Sequence, residues 1–594
     1  MERRHWRTGG AIPIVTSGTG SVTSVAAAVR KTVAADQQCG VLSVRESDRR
    51  MLIQRCQVRL AIAFQWSFSM NDDSGGILCQ ARKQLELRRR LTTALAMTAT
   101  LPGLSACGGG SDVGAPMPAP TPPSPTPPAP PFAGGFERYV GALPTSDLVR
   151  SWISTIFNFG IRRVGYPADP LTTDFAASML ASMGVQVSTQ DVPLKRWDTV
   201  EGQTSVEVCV GNSCVKYAAF PTVTSRKTTT RQGALVRYQD ANTSVTGKVV
   251  LLDYPMSRFA PGALQSRADW VYDPDNDINK TVHPNSRPQT SNAGKTLASI
   301  LLKQPLAVIA ALDDFIDTPY IYGAHSAAPY DRDIPIVWVS PSTRQSIGAQ
   351  LQGASANAQV SVLSSETAVV SRNVIGRLAS GRTDQVVLIG SHHDAPFMGA
   401  TEDAAGTALV LAQAAYWSKV PAAERPFEFL FLLNAGHMQV SAGCEAFVAA
   451  NAALLPRVVL DVHLETPCQE FDIDANGQLV DLGRVEPHWI YTSRNPTLQA
   501  ALKAAIQAED YRRTMMVPPE EFGDGPPSDA KALWKAGVPV MSHISNPVYY
   551  LSIADTLDKV NPASLDKVTR YVARTLWSLQ GTTAAQMRAG IVPG

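Results

Sequence analysis

The chain has 594 residues, of which 44% are hydrophobic and 18% are charged, and its formal net charge at pH 7 is +2. The near-balanced charge excludes a protein that binds nucleic acid through a strongly basic surface. The hydrophobic fraction is that of a folded globular protein and excludes an intrinsically disordered one. No apolar stretch reaches the roughly 18 residues of a spanning helix, which excludes a multi-pass membrane protein.

The first hundred residues contain a predicted export signal. Three arginines, Arg88 to Arg90, precede a short apolar run over residues 91–104, and Leu104-Ser105-Ala106-Cys107 ends it. This order is typical of a secretory signal. The Leu-Ser-Ala-Cys ending resembles a bacterial lipobox, which implies that Cys107 is diacylated and anchors the protein to a bacterial membrane. We therefore predict a lipoprotein signal peptide over residues 85–107, preceded by a non-native upstream extension over residues 1–84.

A linker follows the signal. Residues 108–135 begin with three glycines and then carry the proline-rich segment APMPAPTPPSPTPPAPPF from residue 115. Such a segment adopts an extended polyproline II conformation and cannot pack a core. We predict a stiff spacer that holds the folded part, residues 136–594, away from the membrane.

The cysteines of the folded part agree with an oxidising compartment. Cys209 and Cys214 bracket Val-Gly-Asn-Ser, a hairpin-like turn across which a disulfide is easy to build. Cys444 and Cys468 form the other available pair, and we expect that they can bridge across the site described below. The folded part can thus hold two disulfides, as exported proteins often do.

Two helices and a strand are predicted at the start of the folded part. The first helix covers residues 147–157, and the second follows the N-cap cluster Thr172-Thr173-Asp174 and ends at residue 183, before a strand from residue 185. Residues 199–370 differ, because short β-branched runs there are separated by Gly, Pro, Asn and Asp. These runs are at 205–210, 248–252, 336–340 and 359–363. We interpret this segment as an inserted, mostly β module.

From Asn373 onward, predicted strands and helices alternate. The strands are at 386–391, 427–433, 458–464, 489–492 and 538–544, and the helices are at 403–416, 443–451, 496–508, 528–535 and 564–579. Continuously apolar strands between helices indicate a sheet that is buried on both faces. The fold class is therefore α/β, with one three-layer α/β/α domain built from residues 136–198 and 371–594.

Histidines and carboxylates are concentrated where these strands end. Six of the nine histidines lie between residues 392 and 543. The four segments concerned are Ser391-His392-His393-Asp394, Thr401-Glu402-Asp403, Asn434-Ala435-Gly436-His437-Met438, and Asp461 with His463 and Glu465. In open α/β sheets, ligands bind beyond the carboxyl ends of strands. Imidazole and carboxylate groups at consecutive strand ends predict a zinc site with oxygen and nitrogen ligands.

On these motifs, about residues 145–580 resemble the co-catalytic zinc peptidases of the aminopeptidase Y and glutamate carboxypeptidase II family. The resemblance implies a zinc-exopeptidase-like domain, an inserted protease-associated (PA) domain over residues 199–370, and a peptide or small amide as substrate. It implies metal binding by His392, Glu402 and Asp461, with His437 at the position of the catalytic base. Asp394 and Asp529 match residues that support such a site.

Two positions depart from the family pattern. Members of this family bind two metal ions. At the two positions whose side chains bind the second ion alone, this sequence has Met438 and Leu551, neither of which binds zinc in the usual way. The resemblance therefore implies one Zn²⁺ or none, and carboxylate-rich ligands also accept Mn²⁺ or Co²⁺. His463 and Glu465 share the strand face of Asp461 and are expected to be structural rather than substitute ligands. His543 is a further candidate to replace a lost ligand.

Two functions stay open on the sequence. The first is a membrane-anchored hydrolase with one metal ion, in which His437 takes a proton from water. The second is an inactive relative that binds a peptide or another ligand in the old cleft. A purely structural role is a third reading. Zinc content and the effect of His437→Ala on hydrolysis discriminate the first two.

Overall fold

The computed structural model describes residues 134–323, 333–352 and 354–591. The predicted upstream extension, the signal peptide with Cys107 and nearly all of the predicted linker lie outside the described residues. Within the described ranges, no helix has the length and apolar character needed to cross a membrane.

Strands and helices are numbered here along the chain. The strands are β1 Gln186–Asp198, β2 Ser205–Val210, β3 Ser213–Ala218, β4 Phe220–Pro221, β5 Thr229–Arg237, β6 Val249–Pro255, β7 Arg258–Phe259, β8 Trp270–Tyr272, β9 His283–Pro284, β10 Ala307–Asp313, β11 Ile336–Val339, β12 Ala356–Val362, β13 Ser365–Leu378, β14 Val386–His392, β15 Glu428–Asn434, β16 Val458–Leu464, β17 Gln469–Ile473, β18 Leu479–Val485, β19 His488–Thr492, β20 Thr514–Val517 and β21 Val540–Ser545. The α-helices are α1 Gly135–Tyr139, α2 Ser146–Phe157, α3 Ala168–Ser182, α4 Asn292–Leu302, α5 Pro341–Gln350, α6 Ala405–Lys419, α7 Ala442–Ala450, α8 Pro496–Ala508, α9 Ala530–Lys535, α10 Pro562–Ser578 and α11 Ala584–Ala589.

Most of the strands form two large sheets. The nine-stranded sheet has the order β1-β13-β15-β14-β16-β21-β19-β20-β8, and the eight-stranded sheet has the order β3-β2-β12-β5-β6-β10-β11-β4. Every strand of the second sheet lies within the predicted insertion. The insertion also contributes β8, an edge strand of the first sheet, and the first residues of β13 to the first sheet. The boundaries of this insertion and its identity as a PA domain stay predictions.

The nine-stranded sheet is the middle layer of three. Its central strands β14, β15 and β16 are parallel to one another and buried along their whole length. On one face, residues such as Ile389 and Phe431 pack against α2, α6, α8 and α10. On the other face, Leu388 and Leu432 pack against α7 and α9. The predicted three-layer α/β architecture is confirmed, and burial on both faces explains the continuous apolar runs.

Helix α3 begins earlier than predicted. It starts at Ala168, so Thr172 and Thr173 lie inside the helix rather than at its N-cap. Pro170 fits the first turn, where the missing N–H would have had no helical partner. The carboxylate of Asp169 accepts a hydrogen bond from the Gly165 backbone N–H (2.7 Å), and the Thr172 hydroxyl donates to the Ala168 carbonyl (2.8 Å). The N-cap prediction is therefore wrong by one helical turn.

The cysteines differ in part from expectation. Cys209 and Cys214 face each other across the β2–β3 hairpin and form a disulfide. Cys444 and Cys468 are both buried and unbonded, so the bridge expected between them is wrong. The reason is their position in different cores. Cys444 packs with the α7 and α9 face of the sheet, whereas Cys468 packs with Phe471 and Tyr549 in a separate cluster.

Candidate metal centre

His392 is the last residue of β14 and lies at the carboxyl end of the sheet, beside Asn434 of β15. Its side chain is fully buried. Nδ1 donates a hydrogen bond to the backbone carbonyl of Asp394 at 2.9 Å. Because a carbonyl only accepts, Nδ1 carries a proton, and Nε2 is the nitrogen whose lone pair can be offered to a metal ion. Nε2 has no hydrogen-bond partner among the described residues, which suits a metal ligand.

Glu402 lies beside His392, in the short helical turn Ala400–Ala404 that precedes α6. Its Oε1 accepts a hydrogen bond from the Tyr550 hydroxyl (3.1 Å) and lies 3.5 Å from Nε2 of His392. Its Oε2 is buried and has no partner in the described part of the chain. The Asp555 carboxylate accepts hydrogen bonds from the backbone N–H groups of Thr401 and Glu402, both at 2.9 Å. Asp555 thus fixes the turn that presents Glu402.

His437 begins the turn that follows β15. The carboxylate of Asp394 accepts the backbone N–H groups of His437 and Met438, at 2.9 Å and 3.2 Å. The imidazole Nδ1 donates to Asp529 at 2.8 Å. Burial and the nearby His392 lower the pKa of His437, but the carboxylates of Asp529 and Glu465 together outweigh them, and the pKa rises to about 9. Both predicted supporting residues therefore contact His437: Asp394 holds its backbone, and Asp529 holds its imidazole ring.

Three side chains have ligand atoms within 4.8 Å of one another: His392, Glu402 and His437. The two imidazoles are stacked, with centroids 4.0 Å apart and planes only 7° from parallel. The lone pair of an imidazole nitrogen lies in the plane of its ring, so the free lone pairs of two parallel rings do not converge on one ion. His392 and Glu402 are therefore suited to bind one ion together. His437 is suited to exchange a proton with a molecule that lies beside that ion.

Asp461 does not lie at a strand end. Strand β16 continues to Leu464, and Asp461 pairs with Leu388 in the middle of the sheet. Both carboxylate oxygens are buried without a hydrogen-bond partner among the described residues, and burial raises the pKa of Asp461 to about 7. Asp461 therefore does not occupy the strand end at which the metal ligand was predicted.

Glu465 stands where Asp461 was expected. In the parallel pair β14–β16, Gly390 lies beside His463, so two residues further on His392 and Glu465 reach the same level. Glu465 is fully buried, and its Oε1 lies 3.0 Å from Nε2 of His463. Burial lowers the pKa of His392, but Glu402, Asp403 and Glu465 outweigh it and raise the pKa well above its ordinary value. The predicted strand end at residue 464 already pointed to Glu465.

The replaced second-metal positions lie among apolar side chains. Met438 and Leu551 belong to one cluster with the aromatic residues Trp197, Phe220, Tyr322, Phe397 and Tyr550. His543 lies elsewhere, with Nδ1 donating to the backbone carbonyl of Glu465 at 2.7 Å, and does not replace either ligand. Sequence reasoning also missed Tyr550 and Asp555, which lie close to Leu551 in the sequence.

The donor set fits a divalent metal ion. The buried nitrogen of His392 and the buried oxygens of Glu402 and Glu465 are the ligand types that Zn²⁺ takes in open catalytic sites. Four buried carboxylates, those of Glu402, Asp403, Glu465 and Asp529, lie around two histidines, and buried charge of one sign is costly without compensation. A cation bound between His392 and Glu402 would supply that compensation.

The fold and this donor set are similar to those of zinc exopeptidases. Residues 373–576 match the family model of Peptidase family M28, which confirms the predicted relationship to the co-catalytic zinc peptidases for the part of the chain that holds the site. No curated protein gives a significant sequence match.

Solved structures agree on the fold. A peptidase M28 precursor from Shewanella amazonensis SB2B is 18% identical, with a TM-score of 0.57, over 77% of this chain and 97% of that one. The zinc aminopeptidase BSAP from Bacillus subtilis is 14% identical, with a TM-score of 0.53, over 75% of this chain and 98% of that one. At these identities the likeness establishes the fold alone.

Proposed function

We propose that the protein is an exported, lipid-anchored metallohydrolase that cleaves peptide N-terminal or small amide bonds with one zinc ion. His392, Glu402 and Glu465 would hold the ion. The observation that carries this proposal is the pair of buried, unpartnered donors, Nε2 of His392 and Oε2 of Glu402, at the carboxyl end of the sheet. Zinc in such a site supplies a Lewis acid that polarises an amide carbonyl. The Leu-Ser-Ala-Cys ending at Cys107 and the proline-rich spacer support export and anchoring.

His437 is the proposed proton acceptor. Asp529 holds its Nδ1–H, so Nε2 is the nitrogen left to take a proton from water and to return it to the leaving amine. In the metal-free protein the pKa of about 9 keeps His437 charged at neutral pH. A cation between His392 and Glu402 would lower that pKa, because like charges at close range disfavour the protonated ring. The His437–Asp529 pair therefore replaces the carboxylate base of the family.

The apolar surroundings of Met438 and Leu551 support one ion rather than two. A second ion would need two donors where the structure has a thioether and an aliphatic side chain within an aromatic cluster. The same observation supports a second candidate function, a non-catalytic module that binds a peptide in the cleft. That candidate predicts no zinc and no hydrolysis.

Zinc content and hydrolysis of aminoacyl 4-nitroanilides by the purified full chain test the proposal. We expect His437→Gln to keep the zinc and to lower kcat by about 10²–10⁴-fold, since it removes the proton acceptor. Gln439→Ala is the matched control, because Gln439 lies in the same turn and its side chain, within the described part of the chain, hydrogen-bonds to the backbone of Lys195 rather than to a site residue. If His437→Gln keeps its zinc and hydrolyses the substrate at an unchanged rate, the role of His437 as the proton acceptor is contradicted. Absence of both zinc and hydrolysis in the wild type would favour the binding module.

A further inference from the structure

The backbone of Glu465 is held by a single neighbour on the adjacent strand. Glu465 follows the last residue of β16, and its N–H donates to the backbone carbonyl of His543 at 3.1 Å. The imidazole Nδ1 of the same His543 donates back to the Glu465 carbonyl at 2.7 Å. The next residue, Thr466, has a φ of 50°, so the chain turns away from the sheet at this point. His543 thus contacts both backbone polar groups of Glu465.

The hydrogen bonds define which nitrogen of His543 carries the proton. The Glu465 carbonyl only accepts, so the proton is on Nδ1. Nε2 lies 3.2 Å from the Tyr511 hydroxyl, and His543 packs beside the rings of Tyr511, Tyr571 and His488. With Nδ1 facing the carbonyl, Nε2 is the nitrogen left to accept a hydrogen bond, and the Tyr511 hydroxyl lies within reach of it. The Tyr511 hydroxyl therefore donates to Nε2.

We propose that Tyr511 and His543 are positioning residues that hold Glu465 in the orientation a metal ligand requires. The inference rests on the proposed function, because it assigns Glu465 to the metal. Partners of this kind fix a ligand in place, and their loss weakens metal affinity by about 10–100-fold. The hydroxyl of Tyr511 acts indirectly. It fixes the tautomer of His543, and that tautomer donates the hydrogen bond to the Glu465 carbonyl.

A matched pair of tyrosine variants tests the role of the hydroxyl. Tyr511→Phe removes the donor to His543, whereas Tyr571→Phe removes a buried hydroxyl that has no partner among the described residues. We expect the zinc Kd of the full chain, measured by chelator competition, to rise about 10-fold in Tyr511→Phe and to stay unchanged in Tyr571→Phe. Equal affinities in both variants would overturn the positioning role and leave the proposed function standing.

The histidine has its own conservative variant. Asn at position 543 can still donate an N–H to the Glu465 carbonyl, and Leu cannot. We expect His543→Leu to weaken zinc binding by about 100-fold and His543→Asn to recover most of that loss. Equal loss in both variants, with both folded by circular dichroism, would overturn the inference.

A spectroscopic measurement separates this inference from the proposed function. In metal-free protein with ¹⁵N-labelled histidine, NMR should show His543 neutral and protonated on Nδ1. Protonation on Nε2 would overturn the positioning role whether or not zinc binds. Wild-type protein that binds no zinc would overturn the proposed function, and with it the part of the inference that makes Glu465 a ligand.

Discussion

Asp461→Asn distinguishes a buried acid from a metal ligand. The carboxyl of Asp461 is fully buried without a hydrogen-bond partner among the described residues, and burial raises its pKa from 3.8 to about 7. That rise corresponds to about 4 kcal/mol. The unfolded chain loses this proton near pH 4 and the folded chain near pH 7, so the unfolded state binds fewer protons between these values. Folded stability therefore falls as the pH rises from about 4 to about 7 and is flat above that.

Urea denaturation of chelator-treated protein at pH 5 and pH 8, followed by tryptophan fluorescence, measures this effect. We expect the free energy of unfolding of Asp461→Asn, relative to wild type, to rise by about 3 kcal/mol between the two pH values. The control is Glu428→Gln, since Glu428 is a buried acid paired with Arg377 at 2.7 Å. Glu428→Gln should lower the free energy of unfolding relative to wild type, and that difference should not become more favourable at pH 8 than at pH 5. A loss of stability at pH 8 in Asp461→Asn, with loss of zinc binding, would refute the reasoning and restore Asp461 as a ligand.

Three further predictions follow from single contacts. Tyr550→Phe removes the hydrogen bond to Oε1 of Glu402 and should weaken zinc affinity about 10-fold in chelator competition; unchanged affinity would contradict it. In metal-free protein, the raised pKa of His437 gives stability that is complete below pH 6.5 and lost as the pH rises through about 9. Urea titrations from pH 6 to pH 10 should show this loss in wild type and not in Asp529→Asn. Arg162→Met removes donors to the backbone carbonyls of residues 393, 398 and 399 and should cost about 3–5 kcal/mol of unfolding free energy. A cost below about 1 kcal/mol would mean that the loop over residues 393–399 keeps its conformation without these hydrogen bonds.

The layers and the place of the site could be predicted because they follow from local pattern. Apolar runs of six or seven residues between helical periods occur where a sheet is buried on both faces, and β16 has the same bounds in both descriptions. Polar residues directly after such runs mark the carboxyl end of the sheet, which correctly brought His392, Glu402 and His437 together.

The errors arose where position depends on contacts between distant segments. The family motif put the strand-end ligand at Asp461, whereas the register of β16 against β14 puts Glu465 level with His392. Nothing local to Cys444 and Cys468 shows that they pack in separate cores. The start of α3 was misread because Thr172 and Thr173 are good cap residues that here bond inside the helix. The roles of His543 and Tyr511 depend on pairing between β16 and β21, which no motif records.

Zinc content of the purified full chain, measured by inductively coupled plasma mass spectrometry in the wild type and two variants, tests the central claim most directly. The account predicts one zinc per chain in the wild type and in Asp461→Asn, and none in Glu465→Ala, because Glu465 and not Asp461 is level with His392. Zinc lost from Asp461→Asn and kept in Glu465→Ala, or no zinc in the wild type, would contradict it.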